Sequence, residues 1–530
     1  MDARAGEAGT GGMREQEETI RLLSLPETFG VDRVETVETH ASLVFLAGDR
    51  AVKLKRAVRY PYLDYSTRDR RREACEAELA INRGFAPDLY LGVEAVTRGA
   101  DLRLRLGGVG TPEDWVVVMR RFASDTQFDR LADRGALTPG LMRELADTIA
   151  ACHRMAEPRE GDGGAAGIAQ AIELAVEGMR EAADTGLDPD AVAAWATRAR
   201  AALEGQAALL EARRRAGKVR ACHGDLHLRN ICLLEGRPTP FDAIEFDPHL
   251  SSIDVLYDLA FLLMDLHGRG LDGLGNALFN RYLDQADEAG GLAALPLFLS
   301  LRAGIRAAVA GAARGAAPEQ ARGFGAEAVR YLGLAAALLE DGDPAGLVAI
   351  GGASGTGKST LAYALAPLLG RAPGARVLRT DVLRKRAAGV PIESRLPAES
   401  YTEAAQAATY AALAAEARVC LDGGQAVIAD AVFVPKGAAG IERVAREAGV
   451  AFQGLFLVAD EAVLLRRVAA RSGDASDATE AVVRAQMTAP SPPPPGWAVI
   501  EAGGDPAAVL EAARAGLGRL TPSPCGRGSG

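Results

Sequence analysis

A glycine-rich stretch in the C-terminal third of the chain has the residue types and spacing of a phosphate-binding loop. It reads G-x-x-x-x-G-K-S, with Gly352, Gly357, Lys358 and Ser359 at the four fixed positions. Glycines let successive backbone N–H groups turn inward around a phosphate, and a helix that starts in the loop adds its positive end. In such a loop the lysine contacts the β- and γ-phosphates and the hydroxyl binds Mg²⁺. The predicted nucleotide-binding residues of this P-loop are Gly352, Ala353, Ser354, Gly355, Thr356, Gly357, Lys358, Ser359 and Thr360.

The sequence around this loop favours a functional interpretation over a chance glycine-rich turn. An apolar run at 347–350 precedes the loop and predicts a buried strand, and a helical pattern follows it, which is the context that a P-loop requires. Only six of the 60 lysine and arginine residues are lysines, at positions 53, 55, 218, 358, 385 and 436. Because lysine is so rare in this chain, its presence at the phosphate-contacting position indicates function.

Polar residues after the following strands supply the other groups that phosphoryl transfer needs. Asp381 and Arg384 lie on one turn, where the carboxylate can orient an acceptor hydroxyl and the guanidinium can hold an anionic part of the substrate. Asp430 ends another predicted strand and fits an acid that supports Mg²⁺. Arg467 and Arg471 are four residues apart on a helix and face one way, as a lid over the phosphoryl group requires. The alternative for this helix is an ordinary basic surface.

A second set of polar residues lies in the N-terminal half, in the run H-G-D-L-H-L-R-N. Asp225 and Asn230 have the D-x-x-x-x-N spacing of a kinase catalytic loop, and Asp242 follows at a predicted strand end. One carboxylate can orient a hydroxyl and accept its proton, while an amide oxygen and a second carboxylate hold Mg²⁺. Two alternatives stay open at this point. They are a hydrogen-bonded structural cluster of Asp225 with His223 and His227, and a zinc site at the two histidines, which lacks a third ligand in the sequence.

The pattern of strands and helices divides the chain into two parts. Residues 13–340 begin with a small mixed β lobe that contains one helix and continue as an alanine-rich helical region. From 347 to 515, strands and helices alternate, which predicts a parallel sheet with helices on both faces. The Gly/Pro/Asp-rich stretch 341–346 is the predicted hinge, and residues 1–12 and 516–530 are predicted disordered tails. The expected fold class is α+β for the first part and α/β for the second.

The bulk composition predicts a cytoplasmic protein of more than one domain. A chain of 530 residues is too long for one core, and its net charge of −10 argues against a general nucleic-acid binder. The six cysteines include no C-x-x-C pair, so reduced thiols are expected. The N-terminus lacks the apolar segment of a signal peptide, and no run of uncharged apolar residues is long enough to predict a membrane span.

The N-terminal half resembles the aminoglycoside phosphotransferase and choline kinase superfamily, whose fold is like that of protein kinases. The resemblance covers roughly residues 30 to 340. It rests on H-G-D-L-H-x-x-N, on the strand-borne acid that follows, and on a later D-x-x-Y-D-L-A motif. It implies that Asp225 is the catalytic base and that Asn230 and Asp242 are the Mg²⁺ ligands. The sequence departs from the family because no G-x-G-x-x-G flap precedes the lysines, so residues 39–43 would have to cover the phosphates.

The same resemblance implies a strand lysine that grips the α- and β-phosphates and pairs with a helix glutamate. Lys53 and Lys55 both qualify, because they are two apart on a predicted strand and so share one face. Glu73, in the first half of the following helix, is the predicted partner, with Glu76 and Glu78 as alternatives.

The C-terminal part, from about 345 to 515, resembles the small P-loop kinases of the polynucleotide kinase, gluconate kinase and zeta-toxin group. This resemblance implies that Asp381 activates the acceptor, that Arg384 binds substrate, and that Arg467 and Arg471 form the lid. As a whole, the chain is similar to bacterial fusion proteins that join an aminoglycoside phosphotransferase-like domain to such an ATP-binding domain.

Together these features predict a phosphotransferase with two nucleotide sites that uses ATP and Mg²⁺ and phosphorylates a hydroxyl of a small molecule. One alternative is a polynucleotide 5′-hydroxyl kinase, which the acidic charge disfavours. Another is an ATP-binding regulatory protein whose N-terminal domain is non-catalytic. The joint presence of Asp225, Asn230 and Asp242 argues against that alternative, and the missing flap argues for it.

Overall fold

The computed structural model describes residues 7–39, 41–60, 63–182, 186–316, 321–340, 342, 344–470 and 475–517. The chain forms two compact units. The first combines Met1–Ile168 with Glu211–Leu262, and the second combines Ala169–Leu210 with Leu263–Gly530. The helices after Leu262 belong to the second unit, and the predicted hinge at 341–346 stays a prediction.

The first unit begins with a six-stranded antiparallel sheet and one long helix. Its elements in chain order are α1 (Glu7–Ser24), α2 (Pro26–Phe29), β1 (Val34–Glu38), β2 (Ser42–Ala47), β3 (Arg50–Lys55), β4 (Arg59–Tyr60), β5 (Leu63–Asp64), α3 (Arg68–Phe85), β6 (Tyr90–Arg98), β7 (Leu104–Leu106) and β8 (Thr111–Arg120). The sheet order is β1-β2-β3-β8-β6-β7. The predicted hairpin is confirmed, because Ala47 pairs with Arg50 and Gly48 takes the positive φ of +58° that such a tight turn needs. Helix α1 begins at Glu7, inside the predicted tail.

The two faces of this sheet pack on different helices, and this arrangement places the lysines of β3. Phe45 and Val52 have no exposed surface and lie in an apolar cluster with Leu23 of α1. Side chains alternate along a strand, so Lys53 and Lys55 point to the opposite face, where α3 lies.

The remainder of the first unit carries the predicted catalytic loop. The next elements are α4 (Phe128–Asp133), α5 (Pro139–Met155), α6 (Gly164–Glu181), α7 (Pro189–Arg215), β9 (Val219–Ala221), β10 (Ile231–Leu234), β11 (Arg237–Pro240), α8 (Pro248–Ser251), β12 (Ser252–Asp254) and α9 (Val255–Gly268), with most of α6 and α7 in the second unit. Antiparallel pairs form between β9 and β12 and between β10 and β11. The loop that connects β9 to β10 is 222–230, and Asp242 follows β11, so the hairpin brings the predicted base and metal ligands to one end.

The second unit is built on the parallel sheet that the sequence predicts. Its further elements are α10 (Asp272–Gln285), α11 (Leu295–Ala316), α12 (Ala321–Ala337), β13 (Gly346–Gly352), α13 (Lys358–Leu365), β14 (Arg376–Arg379), α14 (Thr380–Ala388), α15 (Glu403–Asp422), β15 (Val427–Asp430), α16 (Pro435–Ala448), β16 (Ala451–Val458), α17 (Glu461–Ala469), α18 (Glu480–Thr488), β17 (Ala498–Glu501) and α19 (Pro506–Gly516). The five strands run parallel in the order β14-β15-β13-β16-β17. Every residue of β13 is buried, as the apolar run at 347–350 predicts.

Side chains of α10 cover the outer edge of this sheet. Asn280 accepts a hydrogen bond from the Val377 N–H at 2.7 Å and donates one to the Ala375 carbonyl at 3.1 Å. Asn276, one helical turn earlier, donates to the same carbonyl at 3.1 Å. These amides satisfy backbone groups on the side of β14 that no strand pairs with.

A buried arginine extends this polar contact into the sheet. Arg376, with 1% of its side chain exposed, pairs with Asp284 of α10 at 2.7 Å and with Glu416 of α15 at 2.9 Å. Because β14 leads directly into α14, this network fixes the strand that precedes Asp381. The contact also explains why α10 belongs to the same compact unit as the P-loop.

Replacing Asn280 by alanine is expected to lower the free energy of unfolding of the second unit by about 2 kcal/mol, because the buried Val377 N–H loses its partner. Calorimetric unfolding of the full chain measures this loss. Asn280→Asp is the comparison variant, because it keeps the acceptor for Val377 and removes the donor to Ala375 and Asn276, while its added charge lies beside Arg376. Equal losses in the two variants would show that the bond to Val377 is not the source of the effect.

One apolar segment among the described residues is long enough to cross a membrane by length and composition. It is the helical run Ala289–Ala313, which includes most of α11. In the most apolar 18-residue part of this run, 67% is buried inside the protein. Core helices have the same composition, and this burial is typical of one.

Candidate active sites

The P-loop connects β13 to α13, as the sequence predicts. Gly352 takes a φ of +131°, and a Cβ at this position would lie 2.4 Å from the Leu457 carbonyl oxygen. Gly355 and Gly357 also take positive φ, of +88° and +92°. These backbone conformations exclude other residues, and they turn the loop so that α13 starts at Lys358.

The lysine, the hydroxyl and the strand-end acid of this site lie together. Ser359 Oγ donates a hydrogen bond to Asp430 Oδ2 at 2.5 Å, and Lys358 Nζ donates one to the Ala353 carbonyl at 3.0 Å. Asp430 is brought there because β15 is the neighbour of β13, with Ile350 opposite it. Burial raises the pKa of Asp430, although Lys358 and Arg379 oppose the shift. A hydroxyl beside a buried carboxylate fits Mg²⁺, which takes oxygen ligands and whose charge would favour the ionised acid.

The predicted acceptor residues line the same cavity. Arg384 Nη1 is 3.2 Å from Asp381 Oδ1, on one turn of α14. The cavity has a volume of about 690 Å³. It is lined by the P-loop from Ser354 to Thr360 and by Asp381, Arg384, Asp430 and Arg467. The structure thus brings together the residues that the sequence assigned to phosphate, metal and acceptor in this half.

Two elements after β16 contact the P-loop. Arg467 Nη1, near the end of α17, donates to the Thr356 carbonyl at 3.3 Å. Gln486 of α18 accepts a hydrogen bond from the Ser354 N–H at 2.8 Å. The predicted second lid residue, Arg471, lies outside the described residues, so its place beside Arg467 stays a prediction.

A polar cluster that the sequence did not identify borders the same cavity. Asp477 accepts hydrogen bonds from the Tyr401 hydroxyl and from Lys385 Nζ, the latter at 3.2 Å. The Arg384 guanidinium carbon lies 4.7 Å from the centre of the Tyr401 ring. The rarity of lysine was the sequence signal that could have pointed to this cluster, because Lys385 is one of only six lysines. In the structure Lys385 is 1% exposed.

The first unit places the predicted catalytic loop beside the lysines of β3. Asn230 Nδ2 donates to Asp225 Oδ2 at 2.8 Å, and Lys53 Nζ lies 2.7 Å from Asp242 Oδ1. Asp225, Asn230 and Asp242 offer the oxygen donors that Mg²⁺ prefers. Asp242 has a φ of +62°, a conformation that costs free energy for a residue other than glycine and is found at functional sites.

The glutamate that pairs with the strand lysines is Glu78, not the predicted Glu73. Its Oε1 lies 2.8 Å from Lys53 Nζ and its Oε2 lies 2.5 Å from Lys55 Nζ, and its side chain has no exposed surface. Glu73 is exposed, because the buried face of α3 consists of positions 71, 75, 78 and 82. Glu73 was chosen because it lies early in the helix. The spacing of three to four residues between the buried positions would have pointed to Glu78 instead.

The histidines of the loop have polar or aromatic neighbours. His223 is fully buried and its Nε2 lies 2.9 Å from the Phe241 carbonyl; burial lowers its pKa. His227 Nε2 lies 3.4 Å from Asp225 Oδ2, and its ring packs against Phe261. His227 thus lies beside Asp225 and His223 contacts the Phe241 carbonyl, and the structural alternative for this cluster stays open.

Asp258, from the D-x-x-Y-D-L-A motif, braces this loop from a buried position. It accepts hydrogen bonds from the His223 N–H at 3.1 Å and from the Gly224 N–H at 2.9 Å, and His153 Nε2 lies at 3.0 Å. Ligand atoms of His153, Cys222 and Asp258 lie within 4.8 Å of one another. Because the Asp258 oxygens already accept backbone hydrogen bonds, we interpret this group as a structural brace.

Comparison with known proteins identifies two families in the chain. The model of the phosphotransferase enzyme family matches residues 65–295, and an AAA domain model matches residues 347–493. With the fold described above, these matches show that the chain joins a region similar to the phosphotransferase enzyme family to a P-loop domain similar to AAA domains.

Full-length relatives show that this combination is a family. The uncharacterized protein Rv2004c of Mycobacterium tuberculosis is 30% identical over 462 residues, which are 85% of this chain and 89% of the relative. The same figures hold for the uncharacterized protein Mb2027c of Mycobacterium bovis. The chain belongs to the family that contains these mycobacterial proteins.

Similar solved structures match one region or the other. A gluconokinase from Sinorhizobium meliloti is 22% identical with a TM-score of 0.25, and the match covers 34% of this chain and 94% of that chain. A choline/ethanolamine kinase family protein from Mesorhizobium loti is 15% identical with a TM-score of 0.36, and the match covers 61% of this chain and 99% of that chain.

Proposed function

We propose that the C-terminal cavity is an ATP- and Mg²⁺-dependent kinase site that phosphorylates a hydroxyl of a small molecule. The observation that carries this proposal is that Asp381 and Arg384 line the same cavity as the P-loop. An acid and an arginine beside the loop are the groups that would orient an acceptor hydroxyl and bind an anionic part of the acceptor. The volume of about 690 Å³ lies within the range of small-molecule pockets.

The roles of the residues follow from their positions. Lys358 and the N–H groups of the P-loop bind the β- and γ-phosphates, and Ser359 and Asp430 hold Mg²⁺, which neutralises charge on the phosphates. Asp381 orients the acceptor hydroxyl and takes its proton. The acceptor oxygen forms a bond to the γ-phosphorus, the bond from that phosphorus to the bridging oxygen breaks, and ADP leaves. Arg467 closes over the transferring group, and Arg384 binds an anionic part of the acceptor.

We further propose that the first unit holds a second nucleotide site. Lys53 is the lysine that grips phosphate, because its side chain is 14% exposed and contacts the half-exposed Asp242, whereas Lys55 is 1% exposed. Asn230 and Asp242 hold Mg²⁺, and Asp225 is the base for a second hydroxyl acceptor.

Transfer of radiolabelled phosphate from ATP to pools of metabolites and of oligonucleotides tests both sites in one experiment. We compare the unaltered chain with Asp381→Asn and Asp225→Asn. We expect labelled products in the metabolite pool, and we expect each product to be lost in one of the two variants. Loss of different products in the two variants supports two activities. Label in the oligonucleotides would identify a polynucleotide kinase instead, and products that are independent of Asp225 would make the first unit a regulatory module.

A further inference from the structure

The segment 475–488 contacts the C-terminal site at two places. It consists of a short polar run, 475–479, and of helix α18, Glu480–Thr488. Asp477 and Gln486, nine positions apart, both line the cavity, and no step of the proposed transfer uses either residue. Each accepts hydrogen bonds from a different part of the site, so the segment is joined to the P-loop at one end and to the predicted acceptor side at the other.

Gln486 holds the peptide unit between Ala353 and Ser354 of the P-loop. The Ser354 N–H donates to Gln486 Oε1 at 2.8 Å. The carbonyl of the same peptide unit accepts hydrogen bonds from Lys358 Nζ at 3.0 Å and from the Thr356 hydroxyl at 2.8 Å. In a planar trans peptide the N–H and C=O groups point in opposite directions, so a bond to one group sets the direction of the other. Gln486 therefore orients the carbonyl that Lys358 contacts.

This contact of the lysine is compatible with phosphate binding, because an ammonium group has three N–H donors. One donor of Lys358 can stay on the Ala353 carbonyl while the others contact the β- and γ-phosphates. Helix α18 is itself fixed, since Val483 has no exposed surface and packs against α17 in an apolar cluster that also contacts Ala353. A packed helix thus presents Gln486 to the loop.

Asp477 holds the acceptor side of the cavity through three donors. It accepts hydrogen bonds from Lys385 Nζ and from the Leu396 N–H, each at 3.2 Å, and from the Tyr401 hydroxyl. Lys385 follows Arg384 on α14, and the Arg384 guanidinium carbon lies 4.7 Å from the centre of the Tyr401 ring, within the range of a cation–π contact. Asp477 therefore fixes two side chains that adjoin Arg384.

We propose that this segment positions the groups that bind both substrates of the C-terminal site. Gln486 keeps the P-loop peptide and Lys358 in the orientation that ATP requires. Asp477 keeps Arg384 in place for the acceptor, through the ring of Tyr401. Both act through other side chains, so they are positioning residues and not catalytic ones. The inference rests on the kinase site that is proposed above.

The test uses the full chain carrying Asp242→Asn, which removes a proposed metal ligand of the first unit. In this parent, the affinity of the P-loop for ATP·Mg²⁺ is taken from the calorimetric binding that Lys358→Ala removes. Transfer is the initial rate at which label from saturating ATP enters the metabolite pool. Gln486→Met removes the acceptor for the Ser354 N–H at similar size, and Asp477→Asn removes the charge of the other end. Thermal unfolding without ligand measures the stability of each chain.

We expect Gln486→Met to bind ATP·Mg²⁺ about tenfold more weakly than the parent, because the peptide unit loses its partner. Asp477→Asn should keep that affinity within about twofold and lower the rate of transfer about tenfold, as misplacement of a substrate-binding group does. Gln170→Met, the same change as the first at an exposed position of α6, should alter neither quantity. A segment that only stabilised the fold would lose both properties together, so their separation in two variants distinguishes positioning from stability.

Unchanged ATP affinity in Gln486→Met, or an unchanged transfer rate in Asp477→Asn, would overturn the inference while leaving the kinase site intact. Equal losses of affinity in the two variants would overturn it as well. If Lys358→Ala removes no ATP·Mg²⁺ binding, or if the parent transfers no label, the proposed kinase site fails and the inference fails with it. Should either variant not fold, Gln486→Asn, which draws the acceptor back, and Tyr401→Phe, which removes only the hydroxyl, are judged by the same measurements.

Discussion

Replacing Asp381 by asparagine is expected to lower phosphoryl transfer at the C-terminal site by about 10²- to 10⁴-fold, the usual contribution of a general base. Asparagine has the same shape and can still contact Arg384, but it cannot take the proton of the acceptor hydroxyl. Affinity for ATP should stay within twofold, because the ion pair that the structure shows for Asp381 is with Arg384 and not with the P-loop. The initial rate of label transfer and a calorimetric titration with ATP measure the two quantities.

The matched control for this experiment is Asp422→Asn. Asp422 belongs to the same unit, is exposed at the end of α15 and pairs only with Arg418 among the contacts that the structure describes. Its replacement should leave the rate unchanged. A rate that is unchanged in Asp381→Asn would contradict the proposed role of this acid. Loss of ATP affinity together with the rate would instead indicate that Asp381 supports the shape of the pocket.

The placement of residues that lie close together in sequence could be predicted. Gly352 and Lys358 lie at the two ends of one loop, and their spacing follows from the geometry of a loop that encloses phosphate. Asp430 was also predicted, because the carboxyl ends of parallel strands meet at one edge of a sheet, and β15 does lie next to β13. In these cases local sequence or a simple rule of topology determines the position.

The parts that depend on contacts between distant elements were not predictable in the same way. The buried face of α3 contains Arg71, Cys75, Glu78 and Asn82, so three of its four positions are charged or polar. Hydrophobic periodicity cannot identify such a face, and the choice of Glu73 followed. Asp477 contacts Lys385 across 92 positions of sequence. Only the packed structure brings these two side chains together.

The packing of helix α10 on the P-loop sheet could not be predicted from the sequence either. The family match that covers α10 ends at residue 295, before the P-loop domain begins. Yet Asn280 and Asp284 bond the outer strand of the P-loop sheet. A buried helix face made of two asparagines and an aspartate is not visible as an interface in the sequence, because its partners are backbone groups and one arginine.

The second prediction with a large effect concerns Glu78, the glutamate that contacts the two strand lysines. Glu78→Gln should lower the rate of the Asp225-dependent product by about 10²-fold, a loss comparable to removing one oriented charged group from a phosphoryl-transfer site. Glutamine retains the size of the side chain but loses the charge that orients Lys53. The fold should survive, because Lys53 and Lys55 would still be balanced by Asp242 and Glu245.

Glu73→Gln is the matched control for this prediction, since it makes the same chemical change at an exposed position five residues earlier on α3. It should change neither the rate nor the stability, as exposed substitutions usually shift stability by less than about 0.5 kcal/mol. Rates are compared in the chain carrying Asp381→Asn, so that only the first unit contributes. A lower rate in Glu73→Gln, together with an unchanged rate in Glu78→Gln, would support Glu73 as the partner of the strand lysine. Equal activity in both would mean that the lysine–glutamate contact has no part in the transfer.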